Sequence, residues 1–261
     1  MLAERPGPLL AEKPRRLADE DPGWSLRGLA AIPIVAFSTL AFGVLAILAG
    51  LVDWRGGLAR VLGRAWARSV LLVVGVGVDV AGAERAPAGA AVYAANHGSA
   101  LDIPILLAHV PADLLIVHKR SLYLVPVFGV ALWLAGHIGI DRRNAFRARR
   151  NLDAAVRRLR RGASLAVFPE GTRSPDAEVR PFKRGSFVLA MEAGAPVVPV
   201  SLAGVKRVVP LGIATLRPGL VRLTLHRPIE TLGRPPHGAL ALAQEVRRIV
   251  AEGCQGFEAP S

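Results

Sequence analysis

The sequence predicts an α/β fold with a largely parallel sheet flanked by helices, preceded by an N-terminal apolar membrane-binding helix pair. Short apolar runs alternate with longer helical stretches beyond Val73, which predicts the α/β domain. The chain has 261 residues, of which 52% are hydrophobic, so it can bury one sizeable core and nothing in it demands a second. The helix pair is predicted by a run of 24 uncharged residues, 29–52.

The uncharged run is long enough to cross a bilayer, since 24 residues at a helical rise of about 1.5 Å cover roughly 36 Å. A secretory signal is a poor alternative, because its apolar region usually spans only about 7–15 residues and begins nearer the N-terminus. A buried core helix is the other alternative. Residues 1–24 are rich in Pro, Arg, Glu and Asp without a sustained period, so we predict a mostly disordered arm there.

The segment that follows Asp53 predicts a basic amphipathic helix at the membrane surface. Apolar side chains such as Leu58 and Trp66 recur at near-helical spacing to about residue 72, with Arg side chains between them. Basic residues flank the apolar run on both sides, so the positive-inside rule gives no orientation, and a full span and a hairpin in one leaflet both stay open. We therefore expect a membrane-binding helix pair at 25–72 and the α/β domain at 73–261.

Within that domain the pattern predicts seven strands and, most clearly, four helices. The strands are expected at 74–80, 91–95, 114–117, 138–141, 164–168, 196–201 and 221–225. The helices are expected at 103–109, 145–161, 187–193 and 239–251.

Positive charge limits the classes of partner. The formal net charge is +13, which favours anionic partners such as lipid headgroups, phosphorylated substrates, an acidic carrier protein or nucleic acid. An aromatic content of 5% and the long apolar run argue against nucleic acid. The single cysteine, Cys254, excludes an internal disulfide and the metal sites built on paired cysteines, and it suits a cytoplasmic active site.

A histidine and an aspartate, His97 and Asp102, lie five residues apart between a predicted strand and a predicted helix. An imidazole with its ordinary pKa of about 6.5 can take a proton from an alcohol, and a carboxylate on its other nitrogen would fix the tautomer. The alternative is that His97 only satisfies a turn while Asp102 caps the helix. Ser99 beside them is a less favoured candidate nucleophile.

A second group of residues suits phosphate recognition. The run from Phe168 to Arg173 reads Phe-Pro-Glu-Gly-Thr-Arg and leaves a predicted strand. A Gly-Thr pair offers backbone N–H groups and a hydroxyl, and Arg173 offers a guanidinium fork, although an ordinary turn is the alternative. Residues 142–184 hold 13 basic and four acidic side chains, so positive charge is concentrated around this loop.

Taken together, these blocks resemble the glycerolipid acyltransferase family, and specifically its 1-acylglycerol-3-phosphate (lysophosphatidic acid) acyltransferases. The run from His97 to Asp102 resembles the first family block, His-x4-Asp, and Gly139-Ile140-Asp141-Arg142 is similar to the second. The run from Phe168 to Arg173 matches the third block, and Val198-Pro199-Val200 resembles the fourth. The likeness covers about residues 75–228, and the preceding helix pair is also typical of the family.

The resemblance implies the glycerolipid acyltransferase fold, with 73–261 as its catalytic domain, and a role for each matching residue. It implies His97 as general base and Asp102 as its partner. The substrate-binding residues that it implies are Arg142, Glu170, Gly171, Thr172, Arg173 and Lys119, the last resembling a Lys that often precedes a Pro-x-Phe-Gly turn in the family. Two departures, Ser121 and Gly139, bear on the acyl-chain length and the acceptor preference.

The same resemblance implies direct transfer of an acyl chain from acyl-CoA or acyl-carrier protein to the sn-2 hydroxyl of lysophosphatidic acid, which gives phosphatidic acid. The alternative is the same chemistry on another lyso-lipid, such as lyso-ornithine lipid or a lysophospholipid. We expect a membrane lipid acceptor and the membrane surface as partners, no nucleic acid, and no metal or cofactor. The expected location is the cytoplasmic face of the inner (plasma) membrane.

Overall fold

The computed structural model describes residues 25–140, 145–174, 176, 178–210 and 212–257, and of residues 145–152 and 236 only the backbone. The predicted arm at 1–24 lies outside the described residues. The described chain forms a single seven-stranded sheet with helices on both faces, so the predicted α/β fold is confirmed.

All seven predicted strands are present in the structure. They are β1 (Val76–Ala81), β2 (Val92–Ala95), β3 (Leu114–Lys119), β4 (Ile138–Ile140), β5 (Ser164–Val167), β6 (Val197–Ala203) and β7 (Gly219–Leu225). Their order in the sheet is β1-β7-β6-β2-β5-β3-β4. Every neighbouring pair is parallel except β6 and β7, which confirms the largely parallel sheet.

The four predicted helices of the domain are present. The described chain has four further α-helices, of which two form the N-terminal pair and two were not predicted. The helices are α1 (Leu26–Gly50), α2 (Gly57–Val74), α3 (Asp102–His109), α4 (Phe128–Leu134), α5 (Ala145–Arg160), α6 (Gly185–Ala193), α7 (Val205–Val208) and α8 (Ala239–Cys254). The sequence pattern did not predict α4 and α7, because seven and four residues are too few to show a helical period.

Two apolar cores cover the two faces of the sheet. On one face, α2 and α3 pack on Tyr93 and Leu223, and the side chains of Ile105 and Leu106 are fully buried there. On the other face, α6 and α8 supply Phe187 and Leu242, also fully buried. The strands therefore read as continuous apolar runs because both faces are covered.

The second helix of the N-terminal pair belongs to the first of these cores. Its last two turns bury Ala67, Val70, Leu71 and Val74 against α3 and the sheet. It ends at Gly75, whose φ of +68° is the left-handed conformation that terminates helices. The predicted division between 72 and 73 stays a prediction, but a cut there would fall inside α2 and remove core side chains.

The first helix is exposed along most of its length. It has 25 residues, and its most apolar window has a mean hydropathy of 2.4 with only 17% of that window buried, so by length and composition it could cross a membrane. Its N-terminus is tied to the domain by a hydrogen bond of 3.0 Å from the Ser25 N–H to the Ala214 carbonyl. Its C-terminal end turns at Asp53, whose carboxylate accepts from the backbone N–H groups of Arg55 and Leu58 and so starts α2.

Candidate active site

Three neighbouring parallel strands, β6, β2 and β5, end at the same edge of the sheet. The helix that follows β2 packs on one face of the sheet, and the helix that follows β5 packs on the other. Loops that leave in opposite directions open a crevice between their strands, which is the usual ligand position in open α/β sheets. The sequence motifs lie in the loops at this edge.

The loop after β2 begins at a buried amide. The Asn96 side chain donates to the Leu202 carbonyl on β6 at 3.0 Å and accepts from the Leu202 N–H at 2.8 Å. This paired contact replaces a strand-to-strand hydrogen-bond pair at the point where β2 ends. It therefore fixes the direction in which the next residue, His97, leaves the sheet.

The spacing of His97 and Asp102 brings their side chains together, as predicted. The distance from His97 Nδ1 to Asp102 Oδ2 is 2.7 Å, and Asp102 is fully buried as the first residue of α3. The same oxygen accepts from the backbone N–H groups of Gly98 and Ser99, both at 2.8 Å. A carboxylate held this way accepts the Nδ1 proton, which leaves His97 Nε2 free to take a proton from a substrate.

The orientation of the His97 ring plane is also fixed. The imidazole stacks on the ring of Phe168, with 4.1 Å between centroids and 21° between planes. Phe168 directly follows β5, so the neighbouring strand supplies the surface that orients the His97 ring. The His97 side chain is 14% exposed and so remains accessible from one side.

Glu170 lies in the third family block, but its carboxylate faces the protein. One oxygen accepts from the backbone N–H of His97 at 2.9 Å, and the other accepts from the Ser174 hydroxyl at 2.6 Å. The Ser174 N–H in turn donates to the His97 carbonyl at 2.8 Å. These three bonds fasten the loop after β5 to the loop after β2. The sequence did not single out Ser174, because a serine four residues after a glutamate has no distinctive signature.

The remaining predicted residues have different positions. Gly171 has a φ of +80° and forms the turn, while the side chains of Thr172 and Arg173 are exposed in the loop after β5. Lys119 is exposed at the end of β3, which is parallel to β5, so it lies at the same edge of the sheet. Arg142 lies outside the described residues.

A polar cavity of about 150 Å³ lies between the ends of β2, β5 and β6. Its lining includes His97, Glu170 and Ser174, together with Lys206 and Arg207 of α7. The sequence pattern did not single out Lys206 and Arg207, although a Lys-Arg pair shortly after a strand was a usable signal. Among the residues that the structure describes, no group of three or more His, Cys, Asp or Glu side chains could hold a metal ion.

A second, apolar cavity of about 70 Å³ lies between α1, α2, α3 and α4. Two histidines line it. The His137 Nδ1 accepts from the Ile116 N–H at 3.0 Å, and burial lowers the pKa of His137 to about 3, so its ring is neutral. Burial also lowers the pKa of His118, whose Nδ1 lies 3.0 Å from the Lys119 carbonyl and donates to it. These rings differ from His97, since the structure gives neither of them a carboxylate partner within its described part.

A serine on β6 and the histidine that follows β7 also contact each other, on the face of the sheet that α8 covers. The Ser201 hydroxyl lies 2.7 Å from His226 Nε2 and 3.0 Å from the Val250 carbonyl. Because a carbonyl only accepts, Ser201 donates to it, and the hydrogen on His226 Nε2 must point at Ser201. The imidazole therefore does not act as a base toward this buried hydroxyl, and the pair ties α8 to the sheet.

Comparisons with known proteins agree with this geometry. The family model described as "Acyltransferase" matches residues 77–203. A 1-acyl-sn-glycerol-3-phosphate acyltransferase of Limnanthes alba is 32% identical, over 76% of this chain and 71% of the relative. The chain belongs to the 1-acyl-sn-glycerol-3-phosphate acyltransferase family.

Other members of the family support the same assignment. The chloroplastic 1-acyl-sn-glycerol-3-phosphate acyltransferase of Brassica napus is 35% identical over 67% of this chain, and this chain spans about half the length of that relative and of several others. The crystal structure of the 1-acyl-sn-glycerophosphate (LPA) acyltransferase PlsC from Thermotoga maritima superposes with a TM-score of 0.75 and 28% identity. That likeness covers 88% of this chain and 94% of the PlsC chain.

Proposed function

We propose that the protein transfers an acyl chain from an acyl thioester to the sn-2 hydroxyl of lysophosphatidic acid, giving phosphatidic acid. The observation that carries the proposal is the hydrogen-bonded pair of His97 and Asp102 at the carboxyl edge of the sheet, where the loop after β5 carries the exposed Arg173. The reaction and acceptor are those in the names of the relatives and of the PlsC structure. Acyl-CoA and acyl-carrier protein are the donor classes that fit a basic surface.

In the proposed mechanism, His97 Nε2 removes the proton from the sn-2 hydroxyl as its oxygen attacks the thioester carbonyl. Asp102 holds the ring in the required tautomer and stabilises the imidazolium that forms. The tetrahedral intermediate then collapses, the carbon–sulfur bond breaks, and the imidazolium returns its proton to the leaving thiolate. The acyl group passes directly to the acceptor, and the enzyme ends the cycle in its starting protonation state.

The basic residues of the crevice edge supply the acceptor's binding in this proposal. Arg173 is exposed beside the turn at Gly171, where its guanidinium can form paired charge-assisted hydrogen bonds with a phosphate. Thr172, Lys119 and Arg142 remain proposed contributors. Glu170 acts indirectly, because its carboxylate is occupied by the His97 N–H and the Ser174 hydroxyl and so holds the loop that carries the base.

We further propose that α1 and α2 attach the protein to a membrane, at the cytoplasmic face of the inner membrane where soluble acyl donors are available. Many apolar side chains of α1 are exposed, among them Leu26 at 87% and Phe37 at 72%. Water alone is an unfavourable solvent for so much contiguous apolar surface. Ser25 contacts Ala214 at one end of α1, and Gly50 lies against Leu134 at the other, which favours a helix lying in one leaflet over a full span.

The test of the proposed function is an acyl-transfer assay with purified protein, a labelled acyl-CoA or acyl-carrier protein, and a panel of lyso-lipids. We expect labelled phosphatidic acid from lysophosphatidic acid, and much less product from lysophosphatidylcholine or lyso-ornithine lipid. Product from one of those lipids alone would retain the acyltransfer chemistry and overturn the acceptor. Absence of any labelled lipid product with both donors would overturn the function.

A further inference from the structure

The segment 120–134, which leads from β3 into α4, exposes apolar side chains on the catalytic domain itself. The exposed fractions are 84% for Leu124, 43% for Val125, 45% for Val130 and 68% for Trp133. We infer that this segment, called here the α4 patch, inserts into the same lipid leaflet as α1 and α2 and forms a third membrane contact. The inference rests on the proposed membrane attachment, which it extends beyond residues 25–72.

The α4 patch packs directly against the helix pair. A Cβ at Gly43 would come within 2.7 Å of Val127 Cγ1, and one at Gly50 would come within 2.9 Å of Leu134 Cδ2. A Cβ at Gly56 would come closer still to the Leu134 carbonyl oxygen. Because glycines let α4 approach this closely at three places, α4 and the helix pair form one packed unit and present a continuous outer surface.

The contact between α4 and the helix pair also holds an unusual backbone conformation in place. Val127 has a φ of +62°, and no other non-glycine residue in the described part of the chain has a positive φ. A β-branched residue adopts this conformation only where its surroundings impose it. Its side chain fills the space that Gly43 leaves open on α1, so the orientation of α4 is set by the helix pair and not by solvent.

The residue types in and around the α4 patch favour an anionic lipid surface as its partner. Trp133 adjoins Leu134, and Trp54, which is 82% exposed, lies two residues from Gly56 at the same contact. Tryptophan is enriched at the interface between lipid and water. The exposed Lys119 directly precedes the patch and the exposed Arg120 begins it, where both can contact lipid phosphates. An apolar surface with this basic and aromatic border fits a bilayer better than it fits a second copy with the same net positive charge.

Insertion of the α4 patch would also fix the position of the crevice relative to the membrane. Lys119 ends β3 and directly precedes the α4 patch, so insertion of Leu124 and Trp133 would hold the Lys119 end of the crevice at the headgroup layer. An acceptor with its chain in the leaflet would then reach the site without leaving the membrane. The α4 patch would thus set the height of the site, while α1 supplies most of the attachment.

Site-specific labelling tests the inference without relying on activity. In the Leu124→Cys variant, the introduced thiol carries an environment-sensitive fluorophore. Burial raises the pKa of the native Cys254 thiol to about 11, so labelling of the folded variant is selective for position 124. Leu51→Cys, at a position 82% exposed, is the matched control on the helix pair. Glu84→Cys is the control outside the membrane, because it follows β1, which runs antiparallel to β2 and ends at the opposite edge of the sheet.

With vesicles of phosphatidylglycerol that carry bromine on the acyl chains, we expect the labels at 124 and 51 to be quenched to a similar extent and the label at 84 to stay unquenched. Quenching at 51 without quenching at 124 would overturn the α4 patch while leaving attachment by the helix pair intact. Quenching at neither position would overturn both. A change at 124 that depends on protein concentration and not on lipid would assign the surface to a second copy instead.

A paired variant provides a second readout. Leu124→Ser with Trp133→Ser removes two exposed apolar side chains and should leave the core intact, since neither residue is buried. We expect at least a tenfold weaker association with these vesicles and unchanged turnover of a short-chain, soluble acceptor. Wild-type vesicle affinity in the double variant would contradict the inference.

Discussion

The carboxyl edge of the sheet and the N-terminal helix pair are built in opposite ways. At the edge, charged groups lie inside the protein: Asp102 is fully buried, and Glu170 is only 5% exposed. In the helix pair, apolar groups lie outside: Leu26 is 87% exposed and Phe37 is 72% exposed. Both arrangements reverse the usual distribution of side chains in a soluble protein.

The difference lies in where each region finds its partners. The buried carboxylates are satisfied within the chain, by the His97 ring and backbone and by Ser174. The apolar side chains of α1 have no comparable cover within the described chain, so their partner must come from outside. We therefore expect that substitutions at the edge change the proposed acyl transfer and leave the proposed membrane attachment unchanged, and that substitutions on α1 do the reverse.

The largest expected effect separates chemistry from attachment. His97→Ala removes the base, and general acid–base catalysis typically contributes about 10²–10⁴-fold to the rate, so acyl transfer should fall by that range. Vesicle binding should stay at the wild-type value and the protein should stay folded, although its unfolding temperature should fall somewhat because Asp102 loses its partner. Rates and liposome sedimentation measured on one preparation check this. Near-normal turnover would remove His97 from the mechanism.

The converse substitution is Phe37→Glu on the exposed face of α1. Removal of a large apolar side chain from lipid costs about 1.5–3 kcal/mol, so vesicle affinity should fall roughly 10- to 100-fold in high salt. Turnover of a soluble, short-chain acceptor should not change. Phe37→Leu, which keeps the apolar contact, is the control. If Phe37→Glu left salt-resistant sedimentation intact, the exposed face of α1 would need another partner.

A smaller effect should separate the two substrates at the crevice edge. Arg173→Ala should raise the acceptor KM roughly tenfold and leave the donor KM unchanged, because a guanidinium–phosphate contact is charge-assisted and is present before the reaction begins. Arg173→Lys keeps the charge without the fork and should recover part of the loss. An increase in the donor KM alone would instead place Arg173 at the donor.

The smallest effect expected near neutral pH is a change in the pH dependence of the free energy of unfolding, caused by His137. Folding keeps its ring neutral to about pH 3, whereas the unfolded chain binds a proton near pH 6.5. The unfolded state therefore holds more protons below about pH 6.5, and the free energy of unfolding should decrease by up to about 1.4 kcal/mol per pH unit as pH falls. His137→Asn, which can accept the same bond from Ile116, should show a shallower decrease. Identical slopes in urea unfolding would contradict this.

The strands and the contact between His97 and Asp102 could be predicted because their signals are local. Each strand is a short apolar run, and His97 and Asp102 are close enough in sequence for one loop to bring them together. Phe168 to Arg173 was identified as a unit for the same reason. The positions of these residues in three dimensions then followed from the parallel sheet, which places the strand ends at one edge.

The parts that sequence reasoning missed depend on which elements become neighbours. The inward direction of the Glu170 carboxylate depends on the His97 backbone, 73 residues away in the chain. Lys206 reaches the cavity only because β6 lies beside β2. The contribution of α2 to the core, through residues such as Val70 and Val74, was hidden by its basic face, which looked like a membrane surface alone.

The central claim is that the acyl group passes directly from the thioester to a hydroxyl activated by His97, without an acyl-enzyme. Ser99 is the nearest alternative nucleophile, yet it is 5% exposed and its oxygen lies 3.3 Å from the Leu101 N–H. Intact-protein mass spectrometry after incubation with the acyl donor alone tests the claim directly. We predict no acyl adduct, with phosphatidic acid forming only when lysophosphatidic acid is added. A stoichiometric adduct on Ser99 that the acceptor converts to product would contradict it.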